Sequence, residues 1–172
     1  PGWHVECSAL CYQYLGEQLT IHGGGADLVY PHHESEIAQS ETAFGRRPFA
    51  RIWTHAAMVR MDGEKMSKSL GNMVFVRDLL RSYSADAIRL YLLEHHYRQV
   101  WEWSAAGLDD AARLAERLAT AARGPDSAPS AGREAFAAAL ADDLDTPRAI
   151  EALGHLGGAT LRDLGGVLGL RF

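Results

Sequence analysis

IHGGGADLVYPHHESE, residues 21–36, decides how this chain folds and where its chemistry lies. Three consecutive glycines follow a short β-prone run, and glycines carry an entropic cost that is worth meeting where a chain turns tightly or lets another group approach its backbone. Pro31 suits the first turn of a helix, because its missing N–H would go unpaired there anyway. A helix from Pro31 puts His32 and Glu36 at i and i+4 on one face, about 5–6 Å apart at Cβ. That spacing fits a pair of metal ligands. It fits equally a surface helix whose acids favour a positive N-terminus and whose histidines are solvated.

Working outward, residues 3–15 read as a helix with Val5, Ala9, Leu10 and Tyr14 on an apolar side and Gly16 as its stop. Residues 19–22 make a short strand, the glycines a loop, and residues 31–44 a second helix closed by Gly45. The run 49–60, rich in aromatic and apolar residues, predicts a buried strand and its continuation. Strand, helix, strand in this order implies a parallel α/β unit, with the glycines and second helix at the carboxyl edge of the sheet, where such folds bind ligands. Residues 61–72, MDGEKMSKSLGN, read as a mobile loop, and 76–83 and 86–95 as two helices. Ser104 is an N-cap candidate for a long helix to about residue 123. GPDSAPSA at 124–131 is the clear linker, after which 134–144, 147–156 and 160–168 are helical. The fold class is therefore α/β followed by an all-α bundle, with domains at 1–103 and 104–172.

At 172 residues and 47% hydrophobic content the chain can bury a real core. No run approaches the roughly 18 apolar residues a membrane helix needs, and no basic-then-apolar leader is present, so the expected location is the cytoplasm. Cys7 and Cys11 are too few for a disulfide framework. A net charge of −5 argues against non-specific coating of nucleic acid. The chain starts at Pro1 without an initiator Met, as a fragment would.

Three groups of residues carry chemistry. Cys7, His32 and Glu36 together offer a thiolate, an imidazole and a carboxylate, a zinc-compatible set, although a cysteine on an amphipathic helix is more commonly a small buried hydrophobe. Gly23, Gly24 and Gly25 with Asp27 let a flat or phosphorylated ligand approach, Asp27 being able to accept from ribose hydroxyls; the pattern departs from the dinucleotide fingerprint and is weak alone. Lys65 and Lys68, three apart on a glycine-flanked segment, could close over a triphosphate and stabilise charge as pyrophosphate leaves, or form only a solvated basic loop.

KMSKS at 65–69 resembles the signature of class I aminoacyl-tRNA synthetases, and MDGEKMSKSLGN, PGWHVECSA at 1–9 and HGGGADLVYPHHESEIAQSE at 22–41 resemble the cysteinyl-tRNA synthetases among them. The likeness weakens after about residue 124 and returns in ADDLDTPRA at 141–149. It implies the second half of a Rossmann-like nucleotide-binding core and the helical bundle that follows. It implies one zinc ion held by Cys7, His32 and Glu36 and a fourth ligand, binding the thiolate of substrate L-cysteine. Trp3 and His22 would lie beside that substrate, Gly23 to Asp27 would meet adenosine, and Lys65 and Lys68 would grip the phosphates of ATP with its Mg2+. The implied partners are ATP, cysteine and tRNA(Cys), with no membrane, in a monomer. His33 and Glu34 match the pattern and read as supporting residues; Cys11 reads as core.

Residues 1–172 do not include the family's HIGH-type motif, its early zinc-binding cysteine or its anticodon-binding domain, as expected of the second half of a catalytic core with the bundle after it. The expectation is that this chain alone does not activate cysteine. Two alternatives are weighed beside it. The cysteine ligase of mycothiol synthesis joins adenylated cysteine to an amino sugar, and EHHYRQVWEW at 94–103 looks closer to it, whereas His22, SEIAQSE at 35–41 and Leu70 follow the synthetase. The other alternative is a non-catalytic zinc- or nucleotide-binding paralogue, against which the intact candidate residues argue.

Overall fold

A computed structural model describes residues 2–127 and 130–172. The chain packs as two compact units, residues 1–58 with 97–100 and residues 59–96 with 101–172.

The first unit opens with α1 (Gly2–Leu15). Gly16, at φ +92°, closes it by donating to the Tyr12 carbonyl at 3.1 Å. Strand β1 (Leu19–Gly25) runs parallel to β2 (Ala50–Ala56), pairing Ile21 with Ile52 and Gly24 with His55. Between them stand a 3-10 turn at Ala26–Leu28, a wide turn at Val29–His33, and helix α2 (Glu34–Phe44). Gly45, at φ +65°, ends α2 with a bond to the Glu41 carbonyl. The parallel strand, helix, strand order is as expected, but three details differ.

The glycines form no loop: β1 continues through Gly25, and none of the three has positive φ. They are required by close approach of the chain's own groups. A Cβ on Gly24 would lie 2.8 Å from His33 Cε1 and 3.1 Å from Leu28 Cδ1, and one on Gly25 would lie 2.5 Å from Asp27 Oδ1. Helix α2 starts at Glu34, after Tyr30 with extended backbone (φ −135°, ψ 135°) and a cis Tyr30–Pro31 bond, so Pro31 belongs to the preceding turn. The apolar side expected of α1 is not buried: Val5, Leu10 and Tyr14 are exposed, and Ser8 is the helix's buried residue. Ser8 Oγ donates to Gln39 Oε1 at 2.7 Å, tying α1 to α2 beside an apolar groove lined by Val5, Ala9, Tyr12, Ala43 and Phe44. Nor is the 49–60 run buried throughout. Phe49 and Ala50 join Leu19 in a small core, but Ile52 and its partner Ile21 are 54% and 60% exposed.

In the second unit, β3 (Val59–Met61) pairs antiparallel with β4 (Glu64–Lys65) and parallel with β5 (Trp101–Glu102). Asp62 and Gly63 join β3 to β4 at φ 54° and 79°, the two positive values that a primed hairpin turn needs. Glu102 Oε1 accepts the Gly63 N–H at 3.0 Å. Part of the expected mobile loop is thus an ordered hairpin.

Helices α3 (Val76–Leu79), α4 (Ala85–Leu93), α5 (Ala105–Arg123), α6 (Ser130–Ala141), α7 (Thr146–Leu153) and α8 (Gly158–Val167) follow. Ser84, Ser104 and Asp145 cap α4, α5 and α7 by accepting from Ala87, Gly107 and Arg148 N–H groups. Along α5, Leu108, Ala111, Ala115, Leu118 and Ala122 recur at helical spacing and are buried with Leu90, Leu153 and Leu161. Each such leucine contributes about 1.5–3 kcal/mol. The expected linker at 124–131 includes residues 128 and 129, which lie outside the described residues; before them, Asp126 accepts the Thr160 N–H at 3.1 Å. No helix among the described residues is long and apolar enough to cross a membrane.

Candidate functional site

The first turns of α1, the middle of β1, the turn before α2 and the start of α2 supply one cluster of side chains. Cys7, His32 and Glu36 each offer a ligand atom, and these lie within 4.8 Å of one another; His22, His33 and Glu36 form a second such group. Glu36 belongs to both and is completely buried. Its two oxygens differ. Oε2 lies 2.6 Å from His22 Nε2. Oε1 lies 2.9 Å from His32 Nε2, but the approach is too oblique for a hydrogen bond, so Oε1 has no donor. A buried carboxylate oxygen without a donor is costly unless something else meets its charge. A cation shared with His32 Nε2 and the Cys7 thiolate would do so, since ligands of tetrahedral zinc stand about 3–4 Å apart given bonds of about 2.0–2.3 Å. The donor set fits zinc with one position left for another group.

Neighbouring side chains hold these groups in place. His4 Nδ1 stands 2.7 Å from His32 Nδ1, and with His32 Nδ1 donating, His32 Nε2 keeps its lone pair for the ligand position. His33 Nδ1 stands 2.8 Å from His55 Nε2, and the buried His33 ring sits against Gly24. Burial, followed by the neighbouring His22, lowers the His33 pKa below the ordinary imidazole value. Burial, followed by the charges of Glu36 and Glu6, raises that of the Cys7 thiol. Metal-free Cys7 is therefore a thiol at neutral pH, and a coordinated cation would reverse this by deprotonating it. Trp3 is 65% exposed and its ring lies 5.2 Å from that of His32, forming an aromatic flank to the cluster.

Of the residues singled out from sequence, Cys7, His32, Glu36, His22 and Trp3 are brought together here. His22 is engaged with Glu36. Gly23 to Gly25 border the cluster through Gly24, and Asp27 follows in the 3-10 turn. Lys65 and Lys68 belong to the other unit, at the end of the β3–β4 hairpin and in the turn after it. Sequence reasoning missed His4 and His55. His4 precedes Cys7 by three residues and so shares its helical face, a signal that was available; His55 is placed by strand register, which residue spacing alone does not give.

Known proteins resemble this chain over most of its length. A family described as tRNA synthetases class I (C) catalytic domain matches residues 1–113. A cysteine–tRNA ligase of Paramagnetospirillum magneticum is 54% identical over 164 residues, 92% of this chain and 36% of that ligase. One of Acidiphilium cryptum is 51% identical over 99% of this chain and 39% of its own length. This chain spans little more than a third of these relatives. Among solved structures, the ternary complex of Agrobacterium radiobacter K84 agnB2 LeuRS with tRNA and LeuAMS matches 87% of this chain and 23% of its own with a TM-score of 0.62. Its 18% identity makes that a likeness of fold. With two thirds of its residues matched by the family and half its positions shared with these ligases, the chain belongs to the class I (C) tRNA synthetases.

Proposed function

We propose that this chain is the zinc-and-loop portion of a longer cysteine–tRNA ligase, which activates cysteine with ATP and passes it to tRNA(Cys). The observation that carries the reading is the convergence of Cys7, His32 and Glu36 around a buried carboxylate oxygen that has no donor. In this reading residues 1–103 are the second half of a Rossmann-like core, 104–172 a helical bundle, and the whole a cytoplasmic monomer.

Zinc, when bound, supplies a soft Lewis acid that prefers the thiolate of cysteine to the hydroxyl of serine, so selection needs no editing step. This chain's residues supply part of the remaining machinery. Trp3 flanks the thiolate position and excludes water from one side. His22 holds Glu36 Oε2, which leaves Oε1 aimed at the metal position, and His4 does the same for His32. Gly23 to Asp27 receive the adenosine of ATP, whose phosphates carry Mg2+. The cysteine carboxylate attacks the α-phosphorus, the bond to the leaving pyrophosphate breaks, and Lys65 and Lys68 stabilise the charge that builds on the departing oxygens.

The test uses the full-length polypeptide that carries this chain. Cysteine-dependent exchange of pyrophosphate into ATP, with serine inert, is expected, followed by transfer to tRNA(Cys). Failure of the exchange overturns the activity, and transfer to glucosaminyl-inositol in place of tRNA overturns the acceptor.

A further inference from the structure

The segment after the hairpin is held by one side chain that the function above does not use. Asn72 Oδ1 accepts the Ser67 N–H at 2.8 Å, and Asn72 Nδ2 donates to the Lys65 carbonyl at 3.2 Å. Both ends of one amide are thus spent on the backbone either side of Met66. The orientation of the amide is forced, because a flipped amide would set donor against donor and acceptor against acceptor. Gly71, at φ +69°, lets the chain double back, and its N–H meets the Lys68 carbonyl at 3.2 Å. The Met66 N–H meets the Val59 carbonyl at 3.0 Å and anchors the start of the segment to β3. Ser67 and Ser69 hydroxyls lie 3.1 Å apart within the ring.

We propose that Asn72 is a positioning residue that staples residues 65–72 into a preformed turn, so that the backbone bearing Lys65 and Lys68 is set before phosphates arrive. The proposal rests on the role given above to those lysines, and adds what orders them. A glycine-containing segment with no such staple would lose its backbone freedom only on binding, and that entropy would be subtracted from the stabilisation the lysines give. Aspartate at this position would keep the bond to the Ser67 N–H and place a second acceptor against the Lys65 carbonyl.

Two readouts test it in the full-length polypeptide. Two ordinary hydrogen bonds correspond to roughly a tenfold change in an opening equilibrium, so amide exchange at Ser67 should quicken about tenfold in Asn72→Ala and little in Asn72→Asp. In pyrophosphate exchange, Asn72→Ala should lower kcat about tenfold with KM for cysteine unchanged. In a Lys68→Ala background it should cost little more, because a residue that acts through another is not additive with it. Unchanged Ser67 exchange in Asn72→Ala overturns the staple. Full additivity with Lys68→Ala overturns its positioning role. If the unsubstituted polypeptide shows no cysteine-dependent exchange, the proposed function fails, and Ser67 amide exchange still decides the staple.

Discussion

Replacing Glu36 by glutamine separates the carboxylate's role as a ligand from its role in packing, since the two side chains share one shape. In the metal-free protein the cost should be small. Oε1 has no donor to lose, and the amide can hydrogen-bond to His22, which stands 2.6 Å from Oε2. With zinc the cost should be large. Zinc at a hundredfold excess over its Kd stabilises the native chain by about 2.7 kcal/mol. At this chain length that raises Tm by about 5–10 °C, taking about 2–4 °C per kcal/mol. If loss of the carboxylate weakens zinc at least about a hundredfold, the upper range for loss of a mere supporting partner, the same zinc concentration lifts Glu36→Gln by about 1 °C. The assay is a thermal melt with zinc and with chelator, followed through near-ultraviolet circular dichroism, to which Trp3 and Trp53 contribute beside His32 and His33. Zinc affinity within about threefold of the native chain would refute the ligand assignment. A metal-free melt more than about 5 °C below native would show that the carboxylate is structural.

Other outcomes follow from the same geometry. Gly24→Ala should destabilise the first unit by about 1–3 kcal/mol in a chemical melt, because its methyl meets the His33 ring at 2.8 Å; a neutral result would mean the ring moves freely. Metal-free stability should be full above the ordinary imidazole value of about 6.5 and fall as pH drops through the lower folded value of His33, since between the two the unfolded chain binds more protons. The urea midpoint should then fall less steeply with pH in His33→Gln; equal slopes would exclude His33 as the cause. Lys68→Ala in the full-length polypeptide should lower kcat for pyrophosphate exchange by about 10²–10³, as loss of one group facing developing charge does, and an unchanged kcat would exclude it. Leu153→Ala should cost about 2–5 kcal/mol in stability while leaving zinc affinity unchanged, measured by competition with a chromophoric chelator.

The most regular helices were legible because local signals agree with packing. Ser104, the spaced Leu and Ala of α5, and Pro147 after Asp145 each fix a boundary that burial then reinforces. The nearness of His32 to Glu36 was legible from spacing even though α2 starts three residues later than expected, since the turn at Val29–His33 runs into the helix and keeps His32 beside Glu36. Two misreadings have clear causes. A triple glycine reads as a loop because glycine usually marks one; here it serves an extended strand crowded by His33, Leu28 and Asp27, which sequence proximity does not display. The Asp62-Gly63 pair is a strong hairpin signal, but the strands on either side are too short to show an alternating pattern. The pairing of His33 with His55 depends on the register of β1 and β2, and no local property encodes that.

The parallel pair β1 and β2 has a practical consequence for anyone handling the chain. Among the described residues no third strand pairs with either, so each presents an outer row of backbone donors and acceptors, and Ile21 and Ile52 lie bare side by side. Such edges template pairing between molecules. Purified alone, the chain should gather into oligomers as its concentration rises, and a lysine at Ile52 should keep it dispersed without touching the histidine cluster.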